Sequence, residues 1–350
     1  MRGLAMPSTR PFAIAVITLV LFSTSATATS GCWQTPQPQT LQEMASVVEN
    51  QQRRAAPRPT PVVATLALSG GRLKTAYSAG LLVGWGETGK RPDFSVVTAV
   101  GDSALIAPFA FLGAAGDQKI ADLFTCEAKS LEEMAKRAAL YVDAETIEKI
   151  ARRHATGARL IVALPGSAAR RETVWDLGAI AASGHPKAQR YIQNILLAAV
   201  DLTTFIDPTA VPIPAGTLVA RSQAFRQVGA GEPFLSQSRT VVPSTYYLIH
   251  NGVLFPDEGE AYMTWRQGTT DSPTLLENAS VVPAYDFFAS AETSRSKVYL
   301  ASPRPYLRIQ PQSDFDMSYI QALFLDTYRQ GRMGGEWRST FLDRARFYGP

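Results

Sequence analysis

Two glycine-containing corners in the stretch 64–113 constrain the fold more than any other part of the chain. An apolar run, Ala64–Leu68, is followed by Ser69-Gly70-Gly71 and then by a helical pattern. A second apolar run, Phe94–Val100, is followed by Gly101-Asp102-Ser103 and a second helical pattern. Short apolar runs that end at glycines and lead into helices are typical of parallel strands buried on both faces. The chain is therefore predicted to be an α/β protein whose chemistry lies at the carboxyl ends of its strands.

Length and composition describe a globular chain and exclude several functional classes. Of the 350 residues, 46% are hydrophobic and 18% are charged, which suffices for a sizeable core. The net charge of +4 is small, and the sequence has no basic stripe with interleaved aromatic residues, so nucleic-acid binding is not expected. No metal site and no cofactor are expected, because the histidines and cysteines share no metal-ligand spacing: His154, His185, His250, Cys32 and Cys126.

The first 31 residues have the layout of a signal peptide. Arg2 and Arg10 give a positively charged start, Phe12–Phe22 is apolar, and small residues follow up to Gly31. The apolar run is short for a membrane span, which favours cleavage. We therefore predict that residues 1–31 direct export to the periplasm or the envelope.

Two ways of processing this segment stay open. Ala26-Thr27-Ala28 offers a signal-peptidase site, whereas Thr29-Ser30-Gly31-Cys32 is an imperfect lipobox with threonine in place of the usual leucine. In the second case Cys32 takes a lipid that anchors the protein to the membrane. The alternative for Cys32 is a free thiol, or a disulfide with Cys126 in an oxidising compartment.

Beyond the leader, composition separates a tether from a folded domain. Residues 32–60 are polar and rich in Gln, Pro and Arg, which is typical of a flexible tether. The folded domain is expected to cover residues 61–340, followed by a tail at 341–350.

Periodicity and turn residues predict further elements within the domain. A strand is expected at Arg159–Leu164, and a β-hairpin at 246–255 with its turn at His250-Asn251-Gly252, because Asn-Gly supplies the positive φ angles of such a turn. Helices are expected at four places: Asp117–Leu140, Asp143–His154 with Asp143 as N-cap, Pro186 to about Val200, and Asp316–Gln330 with Asp314 or Asp316 as N-cap.

The two corners resemble the patatin-like phospholipase family, in its bacterial, envelope-associated branch. That family has a strand, a Gly-Gly-Gly-x-x-Gly oxyanion loop and a helix, then a strand, a Gly-x-Ser-x-Gly nucleophile elbow and a helix. A later Asp-Gly-Gly or Asp-Gly-Ala motif completes a Ser/Asp dyad without histidine. Val174–Pro186 and Phe315–Trp337 resemble the same branch. The resemblance implies a three-layer α/β fold with a mainly parallel central sheet flanked by helices.

The catalytic positions of the family are altered in this chain. Gly101 stands where the elbow serine belongs, and the best match to the Val-Asp-Gly-Gly strand, Gln227–Glu232, puts Gly229 at the aspartate. In the oxyanion loop Gly70 and Gly71 are kept, but Arg72 takes the third glycine and Thr75 the last. The resemblance therefore implies a scaffold whose Ser/Asp dyad is lost.

Two residues are candidate substitutes for the missing groups. Ser103 is the alternative nucleophile, since Gly101-Asp102-Ser103 looks like the first half of an elbow, although Leu105 takes the place of its final glycine. The other interpretation is that Asp102 or Ser103 caps the following helix. Glu232, three residues after Gly229, is the alternative acid.

The oxyanion loop itself has two interpretations. The backbone N–H groups of Gly70 and Gly71 can stabilise an oxyanion, or bind a carboxylate or phosphate at the helix N-terminus without reaction. Arg72 and Lys74 either support such an anion or are simply solvated. His154 is expected to face solvent at the end of its helix, and none of the histidines is expected to act as a base.

Three functions follow from this reading. The first is a catalytically silent patatin-like protein of the cell envelope, whose pocket binds a lipid, an acyl chain or a protein partner. The second is an active esterase or phospholipase that uses Ser103. The third is an interaction or structural protein whose pocket is filled by side chains. Members of the branch with a lipidated cysteine support acylation at Cys32, so a membrane-anchored lipoprotein and a soluble exported form both stay open.

Overall fold

The computed structural model describes residues 31–34, 64–164, 173–200, 245–252, 296–303, 311–335 and 337–339. These residues contain a six-stranded sheet with the strand order β4-β3-β2-β1-β5-β6. The strands are β1 (Ala64–Leu68), β2 (Val96–Val100), β3 (Arg159–Leu164), β4 (Thr173–Asp176), β5 (Thr245–Ile249) and β6 (Lys297–Ala301).

The sheet is mainly parallel, as predicted. β1 runs parallel to both of its neighbours, β2 and β5, and the pairs β2–β3 and β5–β6 are parallel as well. Among the described strands, β4 alone is antiparallel to its neighbour. All five residues of β1 are buried, which explains why this strand reads as a continuous apolar run.

Helices flank the sheet, so the α/β class predicted from the sequence is confirmed. Two predicted N-caps are also confirmed, since Asp143 accepts the N–H of Thr146 at 2.8 Å and Asp316 accepts that of Tyr319 at 3.0 Å. The α-helices of the described residues are α1 (Thr75–Glu87), α2 (Ala107–Phe111), α3 (Asp117–Thr125), α4 (Leu131–Tyr141), α5 (Ala144–Ala155), α6 (Leu177–Ala182), α7 (Ala188–Ala198) and α8 (Met317–Arg332).

The helix α1 lies at the centre of the packing. Every residue from Thr75 to Gly86 is buried, so this helix has no polar face. Its glycines approach α8 closely: a Cβ on Gly80 would lie 2.2 Å from the carbonyl oxygen of Phe324, and one on Gly84 would lie 2.0 Å from that of Tyr328. Backbone-to-backbone contact between α1 and α8 therefore depends on these glycines.

The single helix predicted at 117–140 is two helices. α3 ends at Thr125, and α4 begins after Ser130, whose hydroxyl accepts the N–H of Glu133 at 3.1 Å. Such a cap satisfies an amide that a new helix would otherwise leave unpaired. The apolar period on both sides of the break conceals it in the sequence.

The hairpin predicted at 246–255 is wrong. β5 is a strand, but β1 and β6 occupy both of its edges, and both run parallel to it. A hairpin partner would need one of these edges. Residues 253–255 lie outside the described residues, and the His250-Asn251-Gly252 segment follows β5 at the carboxyl edge of the sheet.

The first residues of the predicted tether pack against the folded body. Trp33 is only 8% exposed, and Cys32 forms a disulfide with Cys126. The rest of that tether, 35–60, and residues 1–30 of the predicted leader at 1–31 lie outside the described residues. No helix in the described part of the chain combines the length and apolar character needed to cross a membrane.

Candidate functional site

Three loops meet at the carboxyl ends of neighbouring strands. Ser69-Gly70-Gly71 follows β1, Gly101-Asp102-Ser103 follows β2, and His250-Asn251-Gly252 follows β5. Because β1 lies between β2 and β5 in a parallel arrangement, the three loops share one edge of the sheet. The first two loops were predicted to come together, whereas the third was not.

Gly101 lies at the tip of the corner after β2. Its φ is +58°, in the left-handed region that glycine adopts without steric cost. The chain then turns directly into a 3-10 segment, Gly101–Leu105. The sharp strand-to-helix turn expected here is present, and its tip has no side chain that could attack a substrate.

Asp102 points away from its own helix and into the neighbouring corner. One carboxylate oxygen accepts the backbone N–H of Gly71 at 3.1 Å, and the other accepts the hydroxyl of Thr75. The prediction that Asp102 caps the helix following it is therefore wrong. Its hydrogen bonds instead hold the loop after β1 and the start of α1.

The Asp102 carboxyl group is an internal acceptor in the predicted oxyanion loop. Burial raises its pKa above the ordinary value, while hydrogen bonds from Thr75 and from the backbone of Gly71 and Arg72 partly oppose that rise. A donor that an external carboxylate, phosphate or oxyanion would use is thus already bonded within the chain.

Ser103 is locked in the interior. Its side chain is fully buried, and its hydroxyl donates to the carbonyl oxygen of Ser69 at 2.5 Å. The hydroxyl also accepts a hydrogen bond from the side-chain amide of Asn251 at 3.2 Å. Neither partner is a base, and neither bond caps a helix, so the cap interpretation is wrong for Ser103 as well. The geometry gives Ser103 no activation as a nucleophile.

Asn251 joins the three loops and was missed from the sequence. Its side-chain nitrogen donates to the carbonyl oxygen of Ser69 at 2.6 Å, and its backbone N–H donates to the Ser69 hydroxyl at 2.9 Å. Its side-chain oxygen accepts the backbone N–H of Ser78, within α1, at 3.2 Å. An asparagine at the end of an apolar run was the available signal, but Asn-Gly indicated a hairpin turn more strongly.

His250 is buried next to Asn251. Its backbone N–H donates to the carbonyl oxygen of Ala301, at the end of β6, and its Nδ1 lies 2.8 Å from the carbonyl oxygen of Gly252. The side chain therefore interacts with its own loop, which is not the hairpin turn predicted from the sequence.

Arg72 has an unusual backbone conformation for a residue with a side chain. Its φ is +52°, and it is the one non-glycine residue with a positive φ in the described part of the chain. This conformation favours glycine, which is the residue that the resemblance implies at this position. The side chain of Arg72 is exposed, in keeping with the solvated interpretation.

A small recess lies beside Asp102. It has room for about one water molecule, and apolar side chains form most of its wall. Its lining residues are Arg72, Leu73, Thr75, Asp102, Leu105, Phe124, Leu131, Met134 and Ile320.

His154 lies apart from the three loops. It was predicted to face solvent, and that prediction is wrong. Its ring is partly buried, and its Nδ1 lies 3.8 Å from the Asp176 carboxylate. Burial lowers the pKa of His154 and raises the pKa of Asp176. Asp176 also accepts the N–H of Ala179 at 2.8 Å, so it has a structural role as the N-cap of α6.

The remaining predicted site residues divide into two groups. Gly229 and Glu232 lie outside the described residues. Cys32 takes the disulfide alternative, and a sulfur bonded to Cys126 is not free to carry a lipid in the same molecule. No group of histidine, cysteine, aspartate or glutamate suited to a metal ion occurs among the described residues.

Comparison with known proteins finds no matching family model, no matching curated protein and no matching solved structure.

Proposed function

We propose that this chain is a non-hydrolytic protein of the cell envelope built on a patatin-like scaffold, and that it acts through binding rather than turnover. The observation that carries this proposal is the position of Asp102, whose carboxylate accepts the N–H of Gly71 inside the loop that serves the family as an oxyanion site. The chain itself fills this corner. Among the three functions, this favours the third, an interaction protein whose pocket is filled by side chains.

Two features of the corner oppose ester hydrolysis. Gly101 has no nucleophile, and loss of a serine nucleophile typically lowers turnover by about six orders of magnitude. An oxyanion site needs free donors, and here a carboxyl oxygen of Asp102 already accepts one of them, the N–H of Gly71. The donor is therefore not free to stabilise a developing oxyanion.

The position of β5 suggests a different match for the family's aspartate. The family carries Val-Asp-Gly-Gly on a strand, and Ile249-His250-Asn251-Gly252 ends a strand that neighbours β1. Aligning the last glycines puts His250, and not Gly229, at the aspartate. Under either alignment the chain lacks the carboxylate of the dyad, so the proposal does not depend on this choice.

A bound apolar molecule is the second candidate function. The recess beside Asp102 has mostly apolar walls, which favours an acyl chain over a polar ligand. Its size in the described part of the chain, about one water molecule, opposes a bound chain. Native mass spectrometry of the purified protein distinguishes the two, because only the second candidate predicts a co-purifying acyl chain.

Export remains part of the proposal. The Cys32–Cys126 disulfide supports an oxidising compartment, where such bonds persist. Together with the signal-peptide layout of residues 1–31, it favours a periplasmic or envelope location. The disulfide favours cleavage without acylation at Cys32.

Serine-reactive labelling tests the proposal directly. We expect no fluorophosphonate labelling and no hydrolysis of a short p-nitrophenyl ester above background, for the wild type and for Ser103→Ala alike. Gly101→Ser should also stay silent, because Asp102 still occupies the Gly71 donor. Labelling of the wild type that Ser103→Ala abolishes would overturn the proposal and establish the esterase alternative.

A further inference from the structure

A short strap, Gly31–Gln34, fills a slot between α3 and α8. Cys32 is bonded to Cys126 at the end of α3, over a sequence separation of 94 residues. Trp33 inserts its ring against Phe324 and Tyr328 of α8, with edge-on contacts at centroid distances of 5.2 and 4.8 Å. The strap thus binds through a covalent bond and an aromatic anchor.

Side chains of α3 recognise the backbone of the strap. The Trp33 N–H donates to the Asp122 carboxylate at 2.9 Å, and the Trp33 carbonyl oxygen accepts from the Gln118 side chain at 3.0 Å. Gln118 also donates to Asp122 at 3.1 Å, so the two side chains form one unit. Both polar groups of the Trp33 backbone are therefore paired, as in peptide recognition.

The slot also selects the residue that precedes the cysteine. A Cβ on Gly31 would lie 2.5 Å from one Asp122 oxygen and 2.9 Å from the Gln118 amide nitrogen. A larger residue would push these groups away from the Trp33 backbone. The slot is therefore specific for Gly-Cys-Trp. It leaves no room for a Cβ at the first residue, forms a disulfide with the second and buries the aromatic ring of the third.

A long segment of the chain joins the strap to the first strand of the sheet. The partners named above belong to α3 and α8 or to Cys126, and residues 35–63 join the strap to β1. A chain of 29 residues spans up to about 100 Å when extended, and a domain of this size has a radius of gyration of about 19 Å. The strap can therefore reach the slot of a neighbouring molecule.

We propose that the slot between α3 and α8 accepts the strap of a second copy of this chain, which links Cys32 of one copy to Cys126 of the other. The contacts are the same in cis and in trans, since the partner copy contributes the same Gly31–Gln34 segment. The cis strap acts at an effective concentration of about millimolar, so exchange needs a high local concentration or a blocked cis bond. This inference does not rest on the proposed function.

Two complementary cysteine variants test the exchange. Cys126→Ser keeps the strap thiol, Cys32→Ser keeps the slot thiol, and neither forms the cis disulfide. The equimolar mixture is incubated with oxidised glutathione, which takes the two electrons and leaves as two glutathione thiols when the Cys32–Cys126 bond forms. We expect a disulfide-linked heterodimer with about tenfold more yield than the homodimers of either variant alone.

Trp33→Ala, introduced into the Cys126→Ser chain, is the matched control. It keeps the strap thiol but removes the aromatic anchor, and we expect the heterodimer to fall by about 100-fold. A heterodimer yield equal to that of the homodimers, or one unchanged by Trp33→Ala, would show random oxidation and overturn the proposal.

Wild-type protein provides a second measurement in case either variant fails to fold. Equal amounts of ¹⁵N-labelled and unlabelled wild type are reduced, mixed and reoxidised at about millimolar and at about micromolar concentration. We expect mixed-isotope Cys32–Cys126 peptides at the high concentration and far fewer of these mixed peptides at the low concentration. Only same-isotope peptides at both concentrations would contradict exchange.

Discussion

At the residue scale, Asp102 determines what the corner can do. Its carboxylate is buried, and it is bonded to Gly71 and Thr75 of the adjacent loop. A buried carboxylate costs free energy when it is charged, and hydrogen bonds recover part of that cost. The same contacts that hold the corner together occupy a donor that catalysis would need.

The raised pKa of Asp102 predicts a pH-dependent stability. Because burial raises the folded pKa above the unfolded value, the carboxyl contributes stability that is present below the unfolded pKa and is lost as the pH rises through the folded pKa. The isosteric Asp102→Asn removes this titration. We expect the free energy of unfolding of the wild type, relative to Asp102→Asn, to fall as the pH rises above about 4, the ordinary pKa of an aspartate. Urea unfolding at several pH values measures it.

Asp316 supplies a control with the opposite sign. Backbone hydrogen bonds from Gln312 and Tyr319 lower its pKa, so its contribution is present at neutral pH and is lost as the pH falls through the folded pKa. Relative to Asp316→Asn, the wild type should lose stability on acidification. Equal slopes for the Asp102 and Asp316 comparisons would contradict the assignment.

The positive φ of Arg72 predicts a gain in stability from glycine. A left-handed conformation costs a residue with a Cβ about 1–2 kcal/mol, and the greater freedom of glycine in the unfolded chain returns part of that. Arg72→Gly should therefore unfold with a free energy about 1 kcal/mol higher than Arg72→Ala, since alanine loses the same side chain but keeps the strain. Chemical denaturation of both variants measures it, and an alanine variant at least as stable would refute the strain.

At the element scale, α1 and α8 pack in close backbone contact. Both Gly84 of α1 and Gly331 of α8 lie against backbone of the other helix, at 2.0 Å from the Tyr328 oxygen and 2.4 Å from the Leu81 oxygen for an added Cβ. The hydroxyl of Tyr328 then donates to Glu87 at 2.7 Å at the end of α1. The glycines determine the distance between the two helices, and this short distance lets Tyr328 reach Glu87.

Gly84→Ala tests this contact because two effects have opposite signs. Helix propensity alone would stabilise the protein by about 1 kcal/mol, whereas forced separation of the helices should destabilise it by about 1–3 kcal/mol net. We expect a lower midpoint in urea. Gly331→Ala should act in the same direction, and the double variant should cost less than the sum, because one displacement relieves both clashes. A stabilised Gly84→Ala would show that the helices are not in close contact.

At the scale of the whole molecule, the Cys32–Cys126 disulfide ties the N-terminal strap to the body. We expect Cys126→Ser to lower the free energy of unfolding by about 2–5 kcal/mol, because the crosslink no longer restricts the unfolded chain. Trp33→Ala should cost less in that background than in the wild type, since an untethered strap leaves its slot more readily. Equilibrium unfolding of the four proteins measures both effects, and strict additivity would contradict the coupling.

Much of the fold could be predicted from local patterns. Apolar runs that end at glycines identified β1 and β2, and Asp143 and Asp316 identified helix starts through an interaction only three residues long. The break between α3 and α4 escaped prediction, since the apolar period continues across it. The β5 strand was identified, but its pairing was not, because Asn-Gly describes a turn and says nothing about which strands become neighbours.

The sequence alone determined that the corner after β2 has glycine at its tip, because Gly101 has no side chain in any fold. Only the tertiary structure decided what surrounds that tip: Asp102 reaches Gly71, Asn251 reaches Ser69, and Cys32 pairs with Cys126. The physical reason is how far apart the interacting residues lie along the chain. A residue's chemistry and its nearest turn depend on a few neighbours in the chain, whereas these partners are 31, 182 and 94 residues apart and meet only through the order of strands and the packing of helices.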